Sequence, residues 1–219
     1  MRKVSTPTIA NAIETFNIRS RTEGIMDPTV RCIFPDLGVM VGYACTATIR
    51  AALPPGARNA ARFDYWDAIV KVPEPRVAVI QDLDRPRPVG SLWGEVNASI
   101  HKALGCVGTV TNGGVRDLDE VHQMSFHYFA SEVLASHGYV HLVEVGIPVK
   151  VGGIVVRPGD LLHGDKHGVI IIPSEIARDV ADAARRVENT ERQIISYCKS
   201  PSFTLEGLKQ TWIKLRGKP

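Results

Sequence analysis

Residues 139–173 read YVHLVEVGIPVKVGGIVVRPGDLLHGDKHGVIIIP, and this stretch decides the fold. Short runs of valine, isoleucine and leucine are cut by glycine, proline and aspartate, and Pro158-Gly159-Asp160 is a strong turn signal. That pattern predicts a block of short strands. Upstream the period changes. Thr6 suits an N-cap and Pro7 a first helical position, with Ile9, Ile13 and Phe16 at helical spacing. Val39 to Leu53 reads as a long strand with Gly42 as a bulge or close approach. A helix over 64–72, a strand from Arg76 to Asp84, a helix from Glu95 to Leu104 ending at Gly105, and a strand over Cys106 to Val110 follow, then a short helix from Leu118. Downstream, Ile176, Val180, Ala184, Val187, Glu191 and Ile194 mark an amphipathic helix from Ser174 to about Cys198, and 204–215 a last short one. Early helices, a β-rich centre and a helical end predict one layered α/β domain over 1–219. Its helical extension, 174–219, is apolar enough to pack on a neighbouring subunit.

The composition narrows the function. A net charge of +3 over 219 residues carries no basic block, which argues against nucleic acid. Cys32, Cys45, Cys106 and Cys198 are far apart, with no CxxC pair, so neither a zinc ribbon nor a disulfide framework is expected. No G-x-G-x-x-G follows a strand. The N-terminus lacks the apolar core of a signal peptide and no stretch reaches the length of a membrane span, so a cytoplasmic protein without a membrane partner is expected. Lys150 is the one candidate for a Schiff-base lysine, and its run carries nothing else catalytic.

Two strand-end loops combine glycine with charge: GSLWGE (90–95) and NGGVRD (112–117). In layered α/β folds such loops gather on one edge, where ligands bind. The first leads into a helix whose amides suit an anion. Arg116 adds a planar fork for a carboxylate, and Asp117 and Glu95 add hard oxygens suited to a divalent cation. Gly113 and Gly114 let backbone approach whatever binds there. Together these suit a small 2-oxo acid. Asp165 in HGDKHG reads as a turn residue. His163 and His167 face the site or cap strand ends, and His137 and His141 are structural.

Glu95 is followed by twenty residues and then by Arg116-Asp117. With GSLWGE before and PGDLLHGDKHGVIIIP after, the chain resembles the RraA-like family from about Thr6 to Glu191. That family includes divalent-metal-dependent 4-hydroxy-4-methyl-2-oxoglutarate/4-carboxy-4-hydroxy-2-oxoadipate aldolases. The resemblance implies an α/β sandwich of the swivelling β/β/α type, a homotrimer or homohexamer with sites between subunits, and Mg2+ or Mn2+ as cofactor. It implies a class II pyruvate aldolase with oxaloacetate decarboxylase activity. It also implies that Asp117 binds the metal, Glu95 holds metal-bound water, and Arg116 stabilises the enolate. Gly90, Ser91, Leu92, Trp93 and Gly94 would form the substrate loop, with the backbone around Leu92 and Trp93 gripping the pyruvyl carboxylate. Glu191 of a neighbouring subunit would complete the site, with Glu188 as the alternative. Two departures stand out: glutamate occupies position 95, where aspartate is usual, and residues 52–80 leave the family's pattern. The alternatives are a regulator that binds a ribonuclease without catalysis, and a family lyase for another 2-oxo acid. Regulators tend to lack the aspartate after the arginine, so Asp117 favours an enzyme.

Overall fold

The computed structural model describes residues 1–56 and 59–217. Ala57 and Arg58, within the segment that departs from the family pattern, lie outside the described residues, as do Lys218 and Pro219 at the end of the extension. The strands are β1 (Arg31–Cys32), β2 (Met40–Arg50), β3 (Arg76–Asp82), β4 (Cys106–Thr111), β5 (Gly114–Val115), β6 (His127–Ala130), β7 (Glu132–Val133), β8 (His141–Val145), β9 (Val149–Val151), β10 (Ile154–Val156), β11 (Leu161–Asp165) and β12 (Gly168–Ile172). The helices are α1 (Thr6–Glu14), α2 (Arg62–Val70), α3 (Glu95–Ala103), α4 (Leu118–Gln123), α5 (Val180–Cys198) and α6 (Leu205–Arg216).

One mixed sheet runs β1-β6-β4-β3-β2-β11-β12. Its centre, β2, β3, β4 and β6, is parallel. The long β2 uses one edge twice, pairing β11 over its first half and β8 over its second. Parallel strands need cover on both faces, and the side chains of β3 show why these do. Ala78 and Ile80 point into a core with Tyr65, Ile69, Trp93, Ala98 and Phe126. Val77 and Val79 point the other way, onto Met26, Val149, Val151 and Val156. Successive residues face opposite sides of a strand, so a run buried on both faces reads as continuously apolar. A third core joins α1 and α5 to β12 through Ile9, Ile13, Ile172, Val180 and Ala184.

Several boundaries differ from expectation. Ser5, not Thr6, caps α1, its hydroxyl accepting from the Thr8 amide at 3.3 Å. Thr6 is buried and its hydroxyl meets His163 Nδ1 at 3.0 Å. The final long helix starts at Val180, because residues 174–176 form a separate 3-10 turn. Gly42 is a close approach: a Cβ there would stand 2.7 Å from the Pro75 carbonyl oxygen, while the bulge of β2 falls between Thr48 and Ile49. Strand β6 was not expected at all. It is four residues long, and its burial comes from pairing with β4 and β1, which no local pattern announces.

Candidate active site

Strands β3 and β4 are parallel and both end at one edge, where the glycine-bearing loops emerge. Trp93 of the first loop forms a parallel bridge to Val115, and the Arg116 amide donates to the Trp93 carbonyl at 3.1 Å. The two motifs are thereby clipped together. Asp117 then takes the left-handed conformation (φ 55°, ψ 50°), which aspartate tolerates better than most residues. It stands at the N-cap position of α4 without capping it. Its Oδ2 instead accepts from the Glu95 amide at 2.9 Å, the first residue of α3. Asp117 therefore caps the neighbouring helix, where an anion is favoured by the helix dipole. Arg116 Nε lies 4.0 Å from Asp117 Oδ1, and both side chains remain about a third exposed.

Gly94 makes this contact possible. Its backbone is extended, so conformation does not demand glycine, but space does. A Cβ there would lie 2.5 Å from Asp117 Oδ2 and 3.1 Å from Arg116 Nε. Gly94→Ala is expected to displace the carboxylate from α3 and lower activity by at least tenfold. The loss of one cap contact costs about 1 kcal/mol, so the variant should remain folded, as circular dichroism and activity measured together would show.

The loop residues divide by role. Ser91 is buried, and its hydroxyl accepts from the Trp93 amide at 3.0 Å and faces the Trp93 and Gly114 carbonyls, each at 2.7 Å. It organises the loop, and its single proton is already taken up by these carbonyls. The Trp93 amide is thereby committed as well, so within the backbone around Leu92 and Trp93, expected to grip a carboxylate, this donor is already engaged. The amides of Leu92 and Gly94 take no partner among the described residues and are the donors that remain. Gly90 packs at the loop's base, where a Cβ would meet the His137 carbonyl oxygen at 2.3 Å. The Gly113-Gly114 pair likewise admits protein, not ligand. A Cβ on Gly114 would overlap the Leu134 side chain, and one on Gly113 would press Asp82 Oδ2 at 3.2 Å.

Asp117 and the exposed Glu95 are the hard oxygen donors at this edge. Asp117 Oδ1 keeps free lone pairs while Oδ2 is held on the Glu95 amide, so the donor chemistry suits a cation that retains several waters. Among the described residues no cluster of three histidine, cysteine, aspartate or glutamate side chains forms a ready metal site. Glu191 is not at this edge of its own chain. It accepts from Asn11 Nδ2 and Arg216 Nη2, each at 3.3 Å, in a surface cleft of about 670 Å3 between α1, α5 and α6. Glu188, on the same helix, makes no hydrogen bond among the described residues. Asp165 clamps α1 through the Thr6 amide at 2.8 Å and its own turn through the His167 amide at 2.8 Å. His137 and His141 each turn Nδ1 to a nearby backbone carbonyl, and Lys150 is exposed, without the burial a Schiff-base amine needs.

Two residues at this edge escaped the sequence reading. Tyr128 of β6 is fully buried with its hydroxyl unpartnered, and burial, then the charge of Asp117, pushes its pKa up. Asp82, at the end of β3, is 1% exposed and Oδ2 has no partner. Burial raises its pKa from 3.8 to about 6, with the Asp84 amide opposing and the Asp84 charge adding. The folded chain thus holds this proton more tightly than the unfolded one. The associated stability is present below about pH 4 and lost as pH rises through about 6. Asp82→Asn is expected to raise stability at pH 7 by about 1–3 kcal/mol, a gain that vanishes near pH 4 in denaturant melts.

Fold and site together define an α/β protein that presents a guanidinium, an aspartate carboxylate seated on a helix amide and free amides at the end of a parallel sheet. A family model described as "RraA-like: Aldolase/RraA" matches residues 6–171, and the chain belongs to that family. It is similar to a Halalkalibacterium halodurans protein named "Putative 4-hydroxy-4-methyl-2-oxoglutarate aldolase", 30% identical over 97 residues, covering 44% of this chain and 46% of that one. The chain spans about half the length of the curated relatives it matches. Among solved structures, an uncharacterized protein from Pseudomonas syringae pv. tomato aligns with a TM-score of 0.72 at 28% identity, over 95% of this chain and 90% of that one. Streptomyces coelicolor RraAS2, described as an unusual member of the RNase ES inhibitor RraA family, shares the fold with a TM-score of 0.66 at 22% identity, over 89% and 94% of the two chains. No described helix is long and apolar enough to cross a membrane.

Proposed function

We propose that this chain is a carbon–carbon lyase that releases pyruvate from a 4-hydroxy-2-oxo acid and decarboxylates oxaloacetate through the same enolate. The observation that carries the reading is the Asp117 carboxylate seated on the first amide of α3 with the Arg116 guanidinium beside it. The aldolase names of relatives support it. The Leu92 and Gly94 amides would receive the substrate carboxylate. Arg116 would face the C2 oxygen, where negative charge grows as the C3–C4 bond breaks and its electron pair moves into the enolate. The C4 hydroxyl becomes a carbonyl, and Glu95, exposed at the rim, draws its proton through water. Protonation at C3 then yields pyruvate. Asp117 and Glu95 would hold magnesium or manganese, which when bound supplies Lewis acidity at the 2-oxo acid's oxygens. Decarboxylation needs the same enolate without the base. In a homotrimer or homohexamer, Glu191 of a neighbouring subunit would add a third carboxylate.

The test is pyruvate release from oxaloacetate and from 4-hydroxy-4-methyl-2-oxoglutarate, with and without magnesium or manganese. Metal-dependent release from either substrate is expected. No release by a well-folded oligomer would overturn the lyase reading and move the weight to a ribonuclease-binding regulator.

A further inference from the structure

Strands β2, β3 and β4 are parallel, so β2 ends, at Arg50, on the same edge as β3 and β4. Contacts join the three ends. Ile49 stands beside Asp82 in the register. Asn112, just past β4, brackets the Asp82 backbone, its Oδ1 accepting from the amide at 2.8 Å and its Nδ2 donating to the carbonyl at 3.0 Å. The 90–95 loop rests on the residue after Arg50: a Cβ on Gly90 would meet the Ala51 Cβ at 2.8 Å. Neighbouring strands lie about 4.8 Å apart, so the β2 end and the β4 end, where the Arg116 loop begins, are roughly 10 Å apart. One small extended molecule reaches across that distance.

Asp84 organises the β2 side of this edge. Its Oδ2 accepts from the Ala51 and Ala52 amides at 2.7 and 2.9 Å, and the residue is 6% exposed. Its Oδ1 lies 3.7 Å from Arg50 Nη1, and the Arg50 side chain stays 53% exposed. Arg85 is anchored by carbonyls and not by carboxylates, Nη1 donating to Asp84 at 2.9 Å and to Asp82 at 3.3 Å. The residue is exposed, and its other guanidinium nitrogens have no partner among the described residues. The two guanidinia converge. Burial raises the pKa of Asp82, and the charges of both Arg85 and Arg50 oppose it.

Both carboxylates here are enclosed, so what this part of the edge presents to solvent is guanidinium. An arginine fork takes the two oxygens of a carboxylate at once, which leaves nothing for a second fork. A phosphate monoester has three terminal oxygens and close to two negative charges at pH 7, and it can offer an edge to each fork.

On the lyase reading, which this presupposes, we infer that Arg50 and Arg85 form a subsite for a phosphate monoester on the departing half of the substrate. The chain then cleaves a phosphorylated 4-hydroxy-2-oxo acid, and its second product is a phosphorylated aldehyde. The C3–C4 bond breaks as before: its electron pair enters the enolate, the C4 hydroxyl loses its proton and becomes the carbonyl, and the phosphate ester is untouched. Arg50 and Arg85 are specificity-determining residues, remote from the reacting atoms.

Arg50→Gln removes an exposed ion pair of the kind that contributes little to stability, so its melting temperature should match the wild type. Arg85→Gln also loses two carbonyl contacts and is read beside it. In each variant, kcat/KM for a 4-hydroxy-2-oxo acid with a terminal phosphate, divided by that for oxaloacetate, should fall at least tenfold, the scale of one lost charge-assisted hydrogen bond. Binding of glyceraldehyde 3-phosphate, followed by phosphorus NMR line broadening, needs no turnover and should weaken at least tenfold in both variants. If the wild type binds glyceraldehyde 3-phosphate in this Arg50-dependent way yet releases no pyruvate from any substrate, the subsite stands and the lyase reading alone falls. Equal ratios and equal binding across the three proteins would overturn the subsite. So would a higher kcat/KM for 4-hydroxy-4-methyl-2-oxoglutarate, which carries a carboxylate at that end, than for the phosphate ester. A loss in Arg85→Gln that Arg50→Gln does not share would overturn it too, because that pattern belongs to anchoring of the loop.

Discussion

Asp117→Asn is expected to cut metal-dependent pyruvate release by roughly 100- to 1000-fold, the scale of losing one charge-stabilising group in an active site. The substitution isolates charge from geometry. Asparagine keeps an oxygen acceptor for the Glu95 amide, so α3 stays capped and the loop stays clipped to Val115. What disappears is the anion that would hold the cation. Asp117→Ala removes the cap as well and should cost about 1 kcal/mol of stability in addition. A coupled assay of pyruvate, run across a magnesium titration beside thermal melts of both variants, separates the two effects. Wild-type turnover by the asparagine variant, with unchanged metal response, would remove Asp117 from the chemistry.

Arg116→Lys is expected to lose at least 100-fold in kcat while the protein stays folded. Lysine keeps the positive charge but is a flexible point charge without the planar fork. In this site the fork matters, because Nε lies flush against Gly94, where even a Cβ would come within 3.1 Å, and 4.0 Å from Asp117 Oδ1. Nε already stands beside Gly94 and Asp117 before substrate arrives, whereas an ammonium on a four-carbon stem would have to be ordered during the reaction. Retained turnover with a raised KM would place Arg116 in substrate binding alone. Unchanged kinetics would make the Arg116–Asp117 contact an ordinary ion pair of the surface.

The pair of loops was legible because its determinants are local. Glycine, a helix start and the Arg-Asp pair sit within two short stretches, and parallel strands force such loops to one edge. The same reasoning misjudged what the glycines do. Gly94 makes room for Asp117, and Gly114 for Leu134, so the space is filled by the protein's own chain from distant positions. Ser91 and Trp93 look like loop ligands in sequence, yet the buried hydroxyl of Ser91 takes up the Trp93 amide. Only a folded backbone shows which amides are already spent.

By itself, then, the sequence determined the β-rich centre, the flanking helices and the Arg116-Asp117 pair beside Glu95, because helical and strand periods and turn residues act over a few positions. Tertiary structure alone decided that β6 lies in the sheet, that Asp117 caps α3 in place of its own α4, and that Asp82 and Tyr128 lie buried at the same edge. It alone also buried Tyr65 of α2 and His101 of α3 with Oη and Nε2 unpaired. Burial and hydrogen-bond satisfaction are properties of contacts between residues far apart in the chain, and no local pattern records them.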